Sequence, residues 1–253
     1  MKKLYVLIVM LSIINVSCTK SDLMNYIGIK AIDANNFYEA INFFKIAIKE
    51  NKNNYSAFNN LGLAYISLNK PDEAIKYYSI AIELNPEFSK AYTNRGIAYY
   101  ESKKFKFAIK DFSKSISINP NNPTPYFNRG IVFAKIRKLD KSIKDFSKVI
   151  EIDPNCKSVY FNRGISYQKN NDLNKALIDY LRCVKINPEY TNGFYNIACI
   201  YSQKKDKDNA LLYFRKAIET GFNNINLINK DPDIDYIRSE KEFAEILKRI
   251  KKI

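Results

Sequence analysis

The chain contains no histidine and no tryptophan, and only 7 glycines, 8 prolines and 4 cysteines among its 253 residues. Without histidine there is no imidazole to act as a general base near neutral pH or to bind a metal. So few glycines and prolines argue against long structureless linkers. The cysteines at 18, 156, 183 and 199 lack the spacing of a metal site. Setting Cys18 aside leaves an odd number, so no disulfide framework is expected and the thiols read as small apolar fillers. No glycine-rich phosphate loop and no nucleophile–base constellation is present. The expectation is a chain that is not an enzyme and has no cofactor, no metal site and no small-molecule substrate. The apolar run Leu4–Val16 spans 13 residues, short of the roughly 20 that a membrane span needs.

What is present is a folded composition, 46% apolar and 26% charged, with a formal net charge of +15. Such a balance suits anionic partners such as a lipid surface, an acidic polymer or nucleic acid. Lys2 and Lys3 before Leu4–Val16 form the basic n-region and apolar core of an export signal over residues 1–17. Export argues against nucleic acid. The run closes on Ile14-Asn15-Val16-Ser17-Cys18, which resembles the lipobox of bacterial lipoproteins, although Asn15 departs from the usual leucine. The resemblance implies that Cys18 becomes an acylated N-terminus. The protein would then be a membrane-anchored lipoprotein facing the periplasm or the cell surface, with a secreted form or an uncleaved anchor as alternatives.

The body of the chain is periodic. Counted from Ser21 in steps of 34, six units follow without insertion: 21–54, 55–88, 89–122, 123–156, 157–190 and 191–222. Position 8 holds Gly in the first five units and Ala198 in the sixth; position 20 is Ala or Ser; position 24 is always aromatic. Apolar residues at 4, 7, 8 and 11, and again at 20, 21, 24, 27 and 28, mark one face on each of two helices. The small residues let the two helices approach, and the ring at 24 fills the space beside them. A polar stretch at 14–18 makes the turn, with Pro71 opening one second helix. Pro86, Pro120, Pro154 and Pro188 at position 32 close it. One hairpin cannot bury both faces, so the units must stack into a solenoid.

A 34-residue unit with Gly at 8, Tyr at 11, Ala at 20, an aromatic at 24 and Pro at 32 resembles the tetratricopeptide repeat. The resemblance covers about four-fifths of the chain. It implies an all-α fold, an α-solenoid of six hairpins whose first helices line a concave surface, and a role in binding other proteins.

Two sequence rules stand out within the repeat. Arg95, Arg129 and Arg163 occupy position 7 where Asp111, Asp145 and Asp179 occupy position 23; the other three units are apolar or aromatic at both places. The covariation predicts structural ion pairs, either within one hairpin or between neighbours. Position 6 is Asn60, Asn94, Asn128, Asn162 and Asn196, broken only by Tyr26. An amide row on the concave face can hold an extended backbone without reading its sequence, or it can tie adjacent repeats together. It resembles the asparagine ladder in the repeat region of O-linked N-acetylglucosamine transferases. Phe127, Phe161 and Tyr195 at position 5 form a parallel aromatic row, suited to gripping apolar side chains of a bound segment or to packing between first helices.

Residues 223–253 leave the period, and Ser239 with Glu242 reads as a capping box. The box would open an amphipathic capping helix through Phe243, Ile246, Leu247 and Ile250, ending in Lys248, Arg249, Lys251 and Lys252. The expected function is a cell-envelope scaffold that binds an extended segment of a partner protein. The alternative is a structural component that binds anionic lipid or acidic polymer through basic second helices, with Lys114, Lys148, Arg182 and Lys216 at position 26 and Lys76, Lys110 and Lys144 at position 22.

Overall fold

A computed structural model describes residues 19–250, so the apolar run, Cys18, Lys251 and Lys252 lie outside the described residues. Among the described residues there are 15 α-helices, one short 3-10 turn and no strand. The chain divides into two compact units, one ending at Pro125 and the other beginning at Tyr126. The fold is a tandem array of antiparallel helix pairs, the α-solenoid class that the repeat requires.

The first unit holds three hairpins: α1 (Lys20–Asp33) with α2 (Phe37–Glu50), α3 (Tyr55–Ser67) with α4 (Pro71–Leu84), and α5 (Ser89–Glu101) with α6 (Phe105–Ile118). Helix α7 (Pro123–Lys135) begins at the boundary. The second unit continues with α8 (Leu139–Ile152), the pair α9 (Lys157–Lys169) and α10 (Leu173–Ile186), and the pair α11 (Thr191–Gln203) and α12 (Lys207–Glu219).

Each hairpin closes around the ring at position 24. Phe44, Tyr78, Phe112, Phe146, Tyr180 and Phe214 are all 1% exposed or less. A methyl group at Gly96 would lie 2.6 Å from Phe112, and one at Gly164 would lie 2.6 Å from Tyr180. In the first five hairpins, hydrogen at position 8 lets the ring sit this close to the first helix's backbone.

The turn between helices recurs as one device. Asn35, Asn69, Lys103, Arg137, Asn171 and Lys205, all at position 15, adopt left-handed backbone with φ between 57° and 61°. In the second hairpin the Lys70 amide donates to the Tyr65 carbonyl at 2.9 Å, and the Asn69 amide to the Ile66 carbonyl at 2.8 Å. These two bonds satisfy carbonyls that the helix end leaves open. The second helices of the first five repeats stop at position 30 with or without a proline two residues later, since α2 ends at Glu50 before Asn51-Lys52. The position-31 side chain contributes to this stop: Asn51 accepts from the Asn53 amide at 2.9 Å, and Asn85 from the Glu87 amide at 3.1 Å.

The C-terminal segment is not a single capping helix. It opens at Ile225, one 34-residue step after Thr191, under an Asn224 cap that accepts from the Leu227 amide at 3.0 Å. This is the start of a seventh first helix. Pro232 then stands at position 8 and ends α13 (Ile225–Lys230) after six residues. A 3-10 turn (Pro232–Ile234), α14 (Asp235–Arg238) and α15 (Lys241–Ile250) follow. The predicted Ser239–Glu242 capping box does not form. Ser239 is the C-cap of α14, the first bond of α15 runs from the Ala244 amide to the Glu240 carbonyl, and Glu242 pairs with Arg215. Covering of the last hairpin is nonetheless achieved. Ile228, Ile234 and Ile237 are fully buried, Phe243 and Ile246 nearly so, and Phe243 stacks on Phe214 at 4.6 Å.

Candidate functional site: the first-helix face

The position-7 arginines reach across their own hairpins. Arg95 binds Asp111 through Nε (2.7 Å) and Nη2 (2.9 Å), and Arg129 binds Asp145 through the same two nitrogens, each at 2.8 Å. Arg163 repeats this on Asp179 at 2.8 and 2.7 Å. Two parallel short bonds are the geometry of a guanidinium on an ionised carboxylate. A further nitrogen reaches back one repeat: Arg95 Nη1 donates to Ser79 Oγ and Arg163 Nη1 to Ser147 Oγ, both at 2.9 Å. Rings at positions 4 and 11 flank the guanidinium, Tyr92 and Tyr99 around Arg95, Tyr160 and Tyr167 around Arg163. The pairing is therefore within the hairpin for the carboxylate and between hairpins for the remaining donor. Burial pushes the Asp179 carboxyl above the usual range while Arg163 pulls it back. The Arg163 guanidinium, itself penalised by burial, ends above its ordinary value because Asp179 is bound to it. These pairs tie the two helices of a hairpin together, and Arg95 and Arg163 also tie one hairpin to the one before.

In the first unit the amide row bonds to itself. Asn60 Nδ2 donates to Asn25 Oδ1 at 3.0 Å, Asn59 Nδ2 to Asn60 Oδ1 at 3.2 Å, and Asn94 Nδ2 to Asn59 Oδ1 at 2.9 Å. Asn59 is 1% exposed and Asn60 9%. Position 6 of one repeat thus meets position 5 of the repeat before it, and sequence reasoning overlooked Asn25 and Asn59 as partners. The adjacent Asn59-Asn60 pair was the available signal. Asn94 also borders an open depression of about 530 Å³ lined by Lys90, Thr93, Asn119 and Asn122.

The second unit arranges the same positions differently. Phe127 and Phe161 are half-buried. Phe127 leans on Phe146 at 5.8 Å; Phe161 lies 5.7 Å from Tyr180 and edge-on to Tyr190 at 5.0 Å. Asn128, Asn162 and Asn196 are half-buried beside them, and Asn162 Nδ2 donates to the Ser158 carbonyl of its own helix at 2.8 Å. Tyr195 does not join this row. It is 3% exposed, stacks on Phe222 at 4.3 Å and donates its hydroxyl to Asp231 at 2.8 Å. The incipient seventh helix covers it through Asp231. Gln168 extends the same contact by donating to Asp233 at 3.1 Å. Counting one more 34-residue step would have found Asp231.

Among the described residues no group of three or more Cys, Asp or Glu side chains is placed to hold a metal ion. Cys183 and Cys199 are buried and Cys156 is half-buried. Burial raises the Cys183 thiol to about 11 and holds Cys199 well above its ordinary value.

A family model described as tetratricopeptide repeat matches residues 55–88, 89–122, 123–156 and 158–190, and a second of the same description matches 192–220. No curated protein sequence matches the chain. Among solved structures, one described as YrrB, "a TPR protein with an unusual peptide-binding site", is 24% identical, covers 74% of this chain and 96% of its own, and has a TM-score of 0.64. The Pseudomonas aeruginosa pilF structure is 16% identical over 88% of this chain and 98% of its own, with a TM-score of 0.73. MamA of Desulfovibrio magneticus RS-1 is 20% identical over 66% and 94%, at 0.62. At these identities the likeness concerns the fold.

Proposed function

Because this chain belongs to the tetratricopeptide repeat family, whose members bind other proteins, we propose that it is a non-catalytic scaffold holding an extended segment of a partner protein along its first helices. The observation that carries this reading is the second unit's face. There, partly exposed Phe127 and Phe161 stand beside partly exposed Asn128 and Asn162, an apolar grip next to backbone-like amides. In the first unit the same positions bond to one another, which supports engagement through repeats 4 and 5. A peptide-binding site in the structurally similar YrrB is in keeping with this. The scaffold works at the cell envelope, exported by residues 1–17 and held at the membrane by lipid on Cys18.

The test is a crosslinking pull-down from envelope extract, comparing the wild-type protein with an Asn128→Ala/Asn162→Ala variant and a Phe127→Ala/Phe161→Ala variant, each first shown to fold. Partners lost with both variants support the reading. A partner set unchanged in both removes it. The exposed Lys110, Lys144, Arg182 and Lys216 of the second helices support the second reading, attachment to anionic lipid or polymer. Salt separates the two, because charge-driven attachment collapses at high ionic strength.

A further inference from the structure

The first hairpin presents to its outer side the positions that later repeats use to grip the repeat before them. Position 6 reaches back in Asn60 and Asn94, and position 7 reaches back in Arg95 and Arg163. Leu61, also at position 7, is 1% exposed and buried against Ile41 and Phe44 of the first hairpin. The equivalent residues of the first hairpin meet no described repeat. Tyr26 at position 6 is 51% exposed and Ile27 at position 7 half-buried; on the same hairpin Ile29 is 37% and Ile46 39% exposed, and Phe43 is half-buried. A terminal repeat in water ordinarily carries a polar outer side. This one is apolar.

Its surroundings indicate what covers it. Of the acidic groups on this hairpin, Asp22 closes a capping box with Thr19, Asp33 meets Lys30 at 3.5 Å and Glu50 meets Lys20 at 2.7 Å, while Glu39 is exposed. Lys30 also lies over the Tyr26 ring at 5.6 Å, and Lys45 and Lys49 are exposed on α2. Tyrosine and aliphatic side chains fringed by lysines are the make-up of a surface that lies at a membrane interface. The placement is decisive. Thr19 is the N-cap of α1, so the helix starts at Lys20, two residues after Cys18.

We propose that the outer edge of the first hairpin, built on Tyr26, Ile29 and Ile46, rests on an anionic lipid surface beside the anchor at Cys18. This rests on the lipid-anchor reading given above. The net charge of +15, less Lys2 and Lys3 of the export segment, suits an anionic leaflet. With only Thr19 between Cys18 and α1, the first hairpin stays within reach of the bilayer.

The absence of tryptophan makes the test direct, since one introduced indole is the sole reporter. The full protein, purified with its native anchor, is reconstituted into phosphatidylethanolamine–phosphatidylglycerol vesicles with brominated acyl chains. One form carries Tyr26→Trp. The other carries Phe107→Trp, at a site 57% exposed in the third repeat. The expected result is a blue-shifted emission quenched by bromolipid for Tyr26→Trp, and neither effect for Phe107→Trp. Protein that floats with the vesicles while the Tyr26→Trp reporter stays unquenched overturns the proposal and leaves the anchor standing. A blue shift without quenching means that a second copy covers the edge, and overturns it as well. Protein that stays in the soluble fraction removes both the anchor and the proposal.

Discussion

Arg163 and Asp179 meet across the fifth hairpin through two parallel hydrogen bonds of 2.8 and 2.7 Å, with side chains only 18% and 3% exposed. Removing one member leaves the other buried and uncompensated. Asp179→Ala is expected to cost about 3–5 kcal/mol, read as a lower urea midpoint. The chain itself contains the apolar substitute, Leu61 with Tyr77 in the second repeat. The double change Arg163→Leu/Asp179→Tyr is therefore expected to recover most of that loss. Equal damage from the double and the single variants would contradict this.

The left-handed turn is occupied by Asn in three repeats and by Lys103, Arg137 and Lys205 in the others. Asparagine adopts that backbone at less cost than lysine or arginine. Lys205→Gly and Lys103→Gly should each raise stability by about 0.5–1 kcal/mol. Asn69→Gly should change little, and thermal melts of the three variants give the comparison.

The amide rows of the two units are expected to respond differently to the same substitution. Asn60→Ala strips a buried donor–acceptor pair from Asn25 and Asn59 and should cost about 1–3 kcal/mol. Asn162→Ala removes a half-exposed side chain bonded within its own helix and should stay within about 0.5 kcal/mol. Similar losses in a denaturation series would erase the distinction between cementing and available asparagines.

Thiol chemistry should follow burial. With Cys18 replaced by Ser, a thiol-reactive chromophore at pH 8 is expected to label Cys156 alone in the folded protein. Cys183, raised to about 11, and Cys199, held well above its ordinary value by burial and by Asp231, stay protonated. Labelling of all three without denaturant would show that the second unit opens readily.

The period of 34 carried most of the fold, because small residues at 8 and 20 and the ring at 24 act inside one hairpin, where sequence spacing and spatial contact coincide. It carried less of the site. Covariation at positions 7 and 23 showed that the two touch, but a strict repeat spaces the in-hairpin partner and the neighbour's partner by the same rule. Only the geometry separates the carboxylate of Asp111 from the hydroxyl of Ser79 around Arg95. The asparagines were visible as a row, yet their partners sit at position 5 of another repeat. Tyr195 looked like a third ring in the aromatic row until Asp231 and Phe222 closed over it. Its burial depends on a seventh helix that Pro232 cuts short, so the family pattern no longer marks it.

A protein that restates nearly the same hairpin six times has to fold without exchanging halves among its copies. The alternation at positions 7 and 23 sorts those halves. Were the first helix bearing Arg129 to dock on the second helix bearing Tyr77, a guanidinium would be sealed in with no carboxylate, a mistake costing about 3–5 kcal/mol. The reverse error would bury Asp145 against Leu61 at a similar cost. Ionic and apolar hairpins are in this sense two mutually exclusive keys. Their order along the chain, apolar at both ends and ionic in the middle, steers like-looking helices towards partners of their own kind.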